Sequence, residues 1–247
     1  MLNIWIIAKK EFSQYFISPI AYSVAFLLLG IVGILFTLTL LQLSSNAAGT
    51  SAPDSRNITY ATAFLLMLLT PALTMRLIAD EVRMGTMELL LTAPLRDYEM
   101  VVGKWLGAFL FILLPIAMTL VFPMIFDKLT QNGIDKILLI SNYLGVILVA
   151  SALLALGVGI SAIFSNQIAA FFATLALFIV LWWLVGAPAN LLPQGGGEIF
   201  TYLSISAQFS ENFIQGLISP SSIIYFLSLT SLGLFVGSTA VEIRRWR

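Results

Sequence analysis

Six predominantly apolar runs dictate what this chain can fold into. They extend from Ile20 to Leu43, Ile58 to Met75, Val101 to Phe126, Leu138 to Phe164, Ile168 to Ala187 and Ser222 to Val241. Crossing about 30 Å of hydrocarbon takes roughly 20 helical residues, a length that each run approaches or exceeds. Backbone N–H and C=O groups in hydrocarbon must be satisfied within the chain, so spans of this kind are helices. The expected fold is an all-α polytopic membrane protein, one transmembrane domain over residues 1–247. With 60% apolar and 10% charged residues, the composition lies far from that of soluble domains.

Six crossings place both termini on one side. Residues 1–18, the segment from 76 to 104, the short turn at 165–167 and the C-terminus together carry nine of the twelve lysines and arginines; the opposite loops carry Arg56, Lys128 and Lys136. The excess of basic residues marks the cytoplasmic side. Both termini are therefore expected in the cytoplasm, with the protein in the cytoplasmic (inner) membrane.

One stretch breaks the apolar pattern. Arg76 to Lys104 holds nine of the twenty-four charged residues and joins the second and third runs on the cytoplasmic side. Asp80 and Glu81 suit a helix N-terminus, where the dipole favours negative charge. Met84, Met87, Leu90 and Leu91 recur at three- and four-residue spacing, so the expected element is an amphipathic helix over 80–94. Pro94 ends it, because its ring disfavours a helical Ala93. Asp97 is the expected cap of the next helix, which enters the membrane at Val101. The apolar face has two possible resting places, the lipid interface or another protein. Gly85-Thr86 inside the expected helix favours the second, since a mid-helix glycine costs about 1 kcal/mol relative to alanine and suggests close backbone approach.

The run Glu81-Val-Arg-Met-Gly85-Thr86-Met-Glu88-Leu-Leu-Leu-Thr92-Ala-Pro94 resembles the segment between the second and third membrane helices of ABC-2-type transporter permeases. The resemblance extends to Lys9-Lys10-Glu11-Phe12 and Ser18-Pro19-Ile20-Ala21-Tyr22 near the start, and to Tyr225-Phe226-Leu227-Ser228-Leu229-Thr230 and Arg244-Arg245-Trp246 near the end. It looks nearest to the branch of gliding-motility-associated and nitrous-oxide-reductase-maturation permeases. By this resemblance, residues 76–100 form a coupling segment that docks on a separate ATPase subunit. Glu81, Arg83 and Glu88 would make polar contacts to it, Gly85 and Thr86 would permit close docking, and Met87 and Leu90 would fill an apolar cleft; Thr92 and Pro94 complete the motif. The resemblance further implies a second permease subunit, identical or not, and an accessory protein with an outer soluble domain.

Flanking regions have their own grammar. Residues 1–18 do not read as a cleavable signal peptide, because the lysines are followed by Glu11, Ser13 and Gln14 rather than an apolar stretch. Ile4, Ala8, Phe12 and Tyr15, flanked by Trp5 and Phe16, share one face opposite Asn3, Lys10 and Gln14, which describes a helix lying along the membrane. Pro71, Pro115 and Pro123 are expected to kink their helices. Ser165-Asn166-Gln167 joins the fourth and fifth spans as a tight hairpin; Ser151, Ala155 and Gly159 on the fourth, with Ala169 and Ala173 on the fifth, would allow close approach. The outer loop 188–221 opens on Pro188, Pro193 and Gly195-Gly196-Gly197, then mixes Ile199, Leu203, Phe209, Phe213 and Leu217 with polar residues. Short helices lying on or dipping into the outer leaflet fit that mixture, and the resembled family has re-entrant helices there.

The chemistry is an argument from residues that are missing. With no histidine and no cysteine, serine–histidine pairs, thiol catalysis and histidine-based metal sites have nothing to work with. The expected membrane interiors contain no Asp or Glu, which removes an intramembrane carboxylate dyad and disfavours an ion-coupled carrier. Net charge is zero, and no basic surface suggests nucleic acid. No Gly-x-x-x-x-Gly-Lys-Ser/Thr run is present, so the chain is expected to hold no cofactor and to rely on ATP bound by a partner. The expectation is a non-enzymatic permease subunit of an ATP-binding-cassette transporter, an exporter by the resemblance. The competing reading is an ATPase-driven subunit that transmits conformational change to an outer partner while nothing crosses.

Overall fold

A computed structural model describes residues 2–45, 55–87, 96–129, 134–190 and 197–245. The described residues form helices and no strands. In chain order these are α1 (Leu2–Tyr15), α2 (Pro19–Ser45), α3 (Arg56–Thr74), α4 (Ala79–Arg83), α5 (Asp97–Thr119), α6 (Val121–Leu129), α7 (Lys136–Ile163) and α8 (Gln167–Ile179). Then follow α9 (Glu198–Leu203), α10 (Ile205–Glu211) and α11 (Pro220–Arg245). Six stretches among them are long and apolar enough to span: Pro19–Gln42, Arg56–Arg83, Asp97–Lys128, Lys136–Ile163, Gln167–Ala189 and Pro220–Arg245. The polytopic all-α expectation thus holds, although several boundaries move.

The fourth span, α7, is the axis. Buried side chains occur all round it, from Ser141 to Ala162, and α3, α5, α8 and α11 pack on its sides. What lets α11 come so close is glycine. A Cβ on Gly233 would stand 2.5 Å from the Ala155 carbonyl carbon and the Leu156 nitrogen, and one on Gly159 would stand 2.6 Å from the Gly233 oxygen. Ser151 Oγ and Thr230 Oγ1 share a hydrogen bond of 3.1 Å in the same interface. Small residues on Ser151, Ala155 and Gly159 therefore serve the sixth span, not the fifth as the hairpin suggested. The fifth buries Ala170, Thr174 and Phe178, one turn apart, whereas Ala169 and Ala173 are only partly buried.

Pro71 and Pro115 lie inside helices that continue past them, α3 and α5, and the Thr70 and Thr74 hydroxyls beside Pro71 donate back to the Leu66 and Thr70 carbonyls. The third span breaks at Leu120, and α6 restarts with Pro123 in its first turn, where a missing N–H leaves nothing unpaired. Asp97 is not the cap of α5. Arg96 holds that place, and the Glu99 carboxylate accepts from its backbone nitrogen at 3.2 Å; Asp97 instead pairs with Arg245 at 3.1 Å.

The N-terminal helix is more than a lipid anchor. Gly103 and Gly107 form a notch on α5, and Cβ atoms there would meet Ile7 at 2.8 Å and Glu11 Cβ at 2.6 Å. Ala8, Glu11 and Tyr15 are buried in that contact, while Trp5, Ile6, Phe16 and Ile17 remain exposed. Burial, followed by the nearby Glu11 charge, pushes the Tyr15 phenol far up, so it is neutral at any physiological pH.

At the other end, α10 packs inward through Ile205, Gln208 and Phe209, while no residue of α9 is buried. Phe209 and Phe213 are fully buried against Gly145 of α7, where a Cβ would approach Phe213 to 2.6 Å. Ser141 Oγ donates to the Phe213 carbonyl at 3.1 Å, and Tyr225 OH donates to the Leu203 carbonyl at 2.6 Å. Ile199, Leu203 and Leu217 point outward. The fifth span ends in a π-turn, Val180–Leu184, whose Trp182 carbonyl accepts from Ser204 Oγ at 3.2 Å. These short helices are thereby fastened to the fourth, fifth and sixth spans.

Candidate functional site

The charged segment between the second and third spans folds as a corner. After α3 the chain turns through Met75 to Ile78, then runs one turn of helix, α4, from Ala79 to Arg83. Its hinge is held by Ser161 near the end of α7. Ser161 Oγ accepts from the backbone nitrogens of Ile78 (3.2 Å) and Ala79 (3.1 Å) and donates to the Met75 carbonyl (3.3 Å). One hydroxyl thus satisfies three backbone groups at a sharp bend. Replacing Ser161 by alanine strands two buried donors, and the expected loss is about 1–3 kcal/mol. Faster tryptic cleavage after Arg83 in the folded variant is the measurement that checks it.

Two further ties fix α4. Asp80 accepts from Gln167 Nε2, in the turn joining the fourth and fifth spans, and lies 3.8 Å from Arg76. Glu81 Oε1 meets Lys104 Nζ at 2.7 Å, and the same ammonium meets Glu11 Oε1 of α1 at 2.8 Å. Lys104 is 3% exposed. A single buried cation therefore joins the N-terminal helix, the third span and the corner. Arg244 closes the arrangement from the sixth span, donating to the carbonyls of Ala162 (3.2 Å) and Ile163 (2.9 Å) at the C-terminus of α7.

The corner's outer surface is Arg83, Met84, Gly85 and Thr86, all exposed, with Met84 at 62%. Gly85 adopts φ +72°, and nothing lies within 4 Å of where its Cβ would be. It is not a mid-helix glycine requiring close approach; it ends α4 in the left-handed conformation that glycine adopts without penalty. The expected continuous helix over 80–94 is therefore broken at Met84–Gly85. Thr86 Oγ1 donates back to the Glu81 carbonyl at 3.3 Å across this break.

Of the residues that the sequence singled out, Arg83, Gly85 and Thr86 share the exposed surface. Glu81 turns inward to Lys104, and Met87, 4% exposed, packs into the protein's own core. Glu88, Leu90, Thr92 and Pro94, with Leu91, lie outside the described residues. Ser161, Lys104, Glu11 and Gln167 were not singled out as site residues. Only Lys104 carried a signal, a lone lysine one turn inside an apolar helix.

A family model matches nearly the whole of this chain. The model for the ABC-2 family transporter protein matches residues 5–241. This chain belongs to the ABC-2 family of transporter proteins. It is an integral membrane protein and a membrane subunit of an ABC transporter, a family role that is not itself catalytic. An ABC-2 permease works within a system that includes an ATPase partner. No curated protein matches the chain.

Proposed function

We propose that this ABC-2 permease couples ATP hydrolysis by a separate subunit to export across the cytoplasmic membrane, with the corner at residues 79–87 as the docking point. The observation that carries this reading is the construction of the corner. Arg83, Met84, Gly85 and Thr86 face outward on an element tied by Ser161, Gln167, Lys104 and Glu11 to the fourth span, the turn before the fifth, the third span and the N-terminal helix. A push on that surface is delivered to all of them, because packed elements shift as units.

In this reading Arg83 supplies polar contact to the ATPase and Met84 the apolar contact, while Gly85, by ending α4, presents both with Thr86 beside them; Glu88, Leu90, Thr92 and Pro94 continue the docking segment. Glu81 and Met87 instead hold the corner to the permease body. ATP sits in the partner. A second permease subunit completes the pathway, both termini are cytoplasmic, and the sequence resemblance favours the gliding-motility and nitrous-oxide-reductase-maturation branch with its outer accessory protein.

The test is copurification of the tagged full chain from its native membrane in mild detergent, with ATPase activity of the eluate. A P-loop ATPase in stoichiometric amount is the expected companion. Arg83→Glu should reduce its recovery by about tenfold or more, since like-charge juxtaposition at an interface costs several kcal/mol. Undiminished recovery with a folded variant would remove Arg83 from the interface; no ATPase with the parent chain would remove the docking reading.

A further inference from the structure

Behind the corner lies a cavity of about 540 Å³, within the range of small-ligand sites. Its charged lining is balanced: Lys10, Arg76 and Lys104 against Glu11, Asp80 and Glu81. The charges are also separated by depth. Lys10 and Arg76 are exposed at the rim, whereas Lys104, Glu11 and Glu81 lie buried or nearly so within.

One atom in this set is unfinished. Glu81 Oε1 is bound by Lys104, but Oε2 is buried and has no hydrogen-bond partner among the described residues. A buried carboxylate oxygen without a donor is costly, and Lys104 is already shared with Glu11. The remaining wall combines Gln14, Ser18 and Thr86 with apolar residues. Ile20 and Ala21 come from the start of the first span, and Leu73 and Leu77 from the end of the second. The cavity therefore sits where two spans meet the headgroup layer.

From this geometry we infer that the cavity binds the headgroup of a zwitterionic phospholipid with a primary ammonium, that is, a phosphoethanolamine lipid. The ammonium donates to Glu81 Oε2 inside, the phosphate meets Lys10 and Arg76 at the rim, and the acyl chains follow the apolar wall between α2 and α3. A net-neutral ligand with separated charges matches a net-neutral lining with separated charges. A choline headgroup, which has no N–H, leaves Glu81 Oε2 unpaired. Met84 and Thr86 of the corner also line the cavity, yet lipid binding to the isolated chain is measurable without an ATPase.

The experiment uses the delipidated full chain in detergent, with thermal unfolding followed while dioleoyl-phosphatidylethanolamine or dioleoyl-phosphatidylcholine is added in mixed micelles. The ethanolamine lipid should stabilise at about tenfold lower concentration than the choline lipid, the ratio expected for one added hydrogen bond to a charged group. Glu81→Gln should erase most of that ratio, whereas Arg76→Gln, which removes a contact to the phosphate common to both lipids, should weaken both and leave the ratio. Soluble phosphoethanolamine should not substitute for the lipid. Equal response of the parent chain to both lipids overturns the inference, as does an undiminished response of Arg76→Gln to the two lipids, an exposed substitution that tests the phosphate contact even where Glu81→Gln fails to fold. Stabilisation by soluble phosphoethanolamine alone would overturn the lipid assignment.

Discussion

Replacing Lys104 by methionine is expected to destabilise the protein by about 3–5 kcal/mol, the range found when one partner of a buried ion pair is removed. The side chain is 3% exposed and its ammonium stands 2.8 Å from Glu11 and 2.7 Å from Glu81. Without it, two carboxylates from different helices face each other with no cation between them. Thermal unfolding of the full chain in detergent reads the loss. Adding Glu11→Gln and Glu81→Gln to the methionine variant should restore part of the stability, because the damage is uncompensated charge. If the triple variant melts no higher than Lys104→Met alone, packing and not charge explains the position.

The second large effect is expected at Gly233. Its Cα faces backbone on α7, with the added Cβ only 2.5 Å from Ala155 and Leu156 atoms that belong to the most buried helix. Neither helix can yield by rotating a side chain, so even alanine forces the pair apart. Overpacking costs about 1–3 kcal/mol and sometimes more, and leucine here should exceed the upper figure because the whole helix contact, Ser151–Thr230 bond included, is lost. Gly30→Ala is the matched control, since its Cβ meets nothing within 4 Å. Size-exclusion profiles and melting curves should show a dispersed or unfolded Gly233→Leu and an unchanged Gly30→Ala; equal behaviour of the two would contradict the helix contact.

Both effects arise where the sequence was hardest to read. The spans were legible because hydrocarbon thickness and backbone satisfaction leave few ways to cross a membrane. Which span sits at the centre was not legible from length, since α2 and α7 are similarly long and apolar, yet α7 is enclosed and α2 is largely exposed. Close-approach glycines were visible as a pattern on the fourth span, but their partner depended on the three-dimensional order of helices. Gly103 and Gly107 carried the same four-residue spacing and were passed over, although they seat the N-terminal helix.

At the corner, periodicity places Gly85 inside a longer helix, where it suggests close backbone approach; its φ of +72° instead makes it the end of α4. Periodicity assigned Met84 and Met87 to one face of a longer helix; the break between them sends Met84 outward and Met87 inward. Ser161 had no signature at all. A serine near the end of an apolar helix is unremarkable until a backbone bend brings two nitrogens to within 3.2 Å of it. Acidic residues at Asp80 and Glu81 were read as dipole partners, and their ties to Gln167 and Lys104 could come only from tertiary structure.

The most direct test of the docking claim uses the absence of native cysteines in this chain. A single cysteine at Met84, carrying a photoactivatable maleimide probe, can be crosslinked in native membranes, with the same probe at the exposed Ile218, just before the sixth span, as the comparison. The account predicts an adduct containing a P-loop ATPase from position 84 and none from position 218. A folded, membrane-inserted chain that yields no ATPase adduct at 84, or yields it equally from 218, would contradict the docking of the ATPase on this corner.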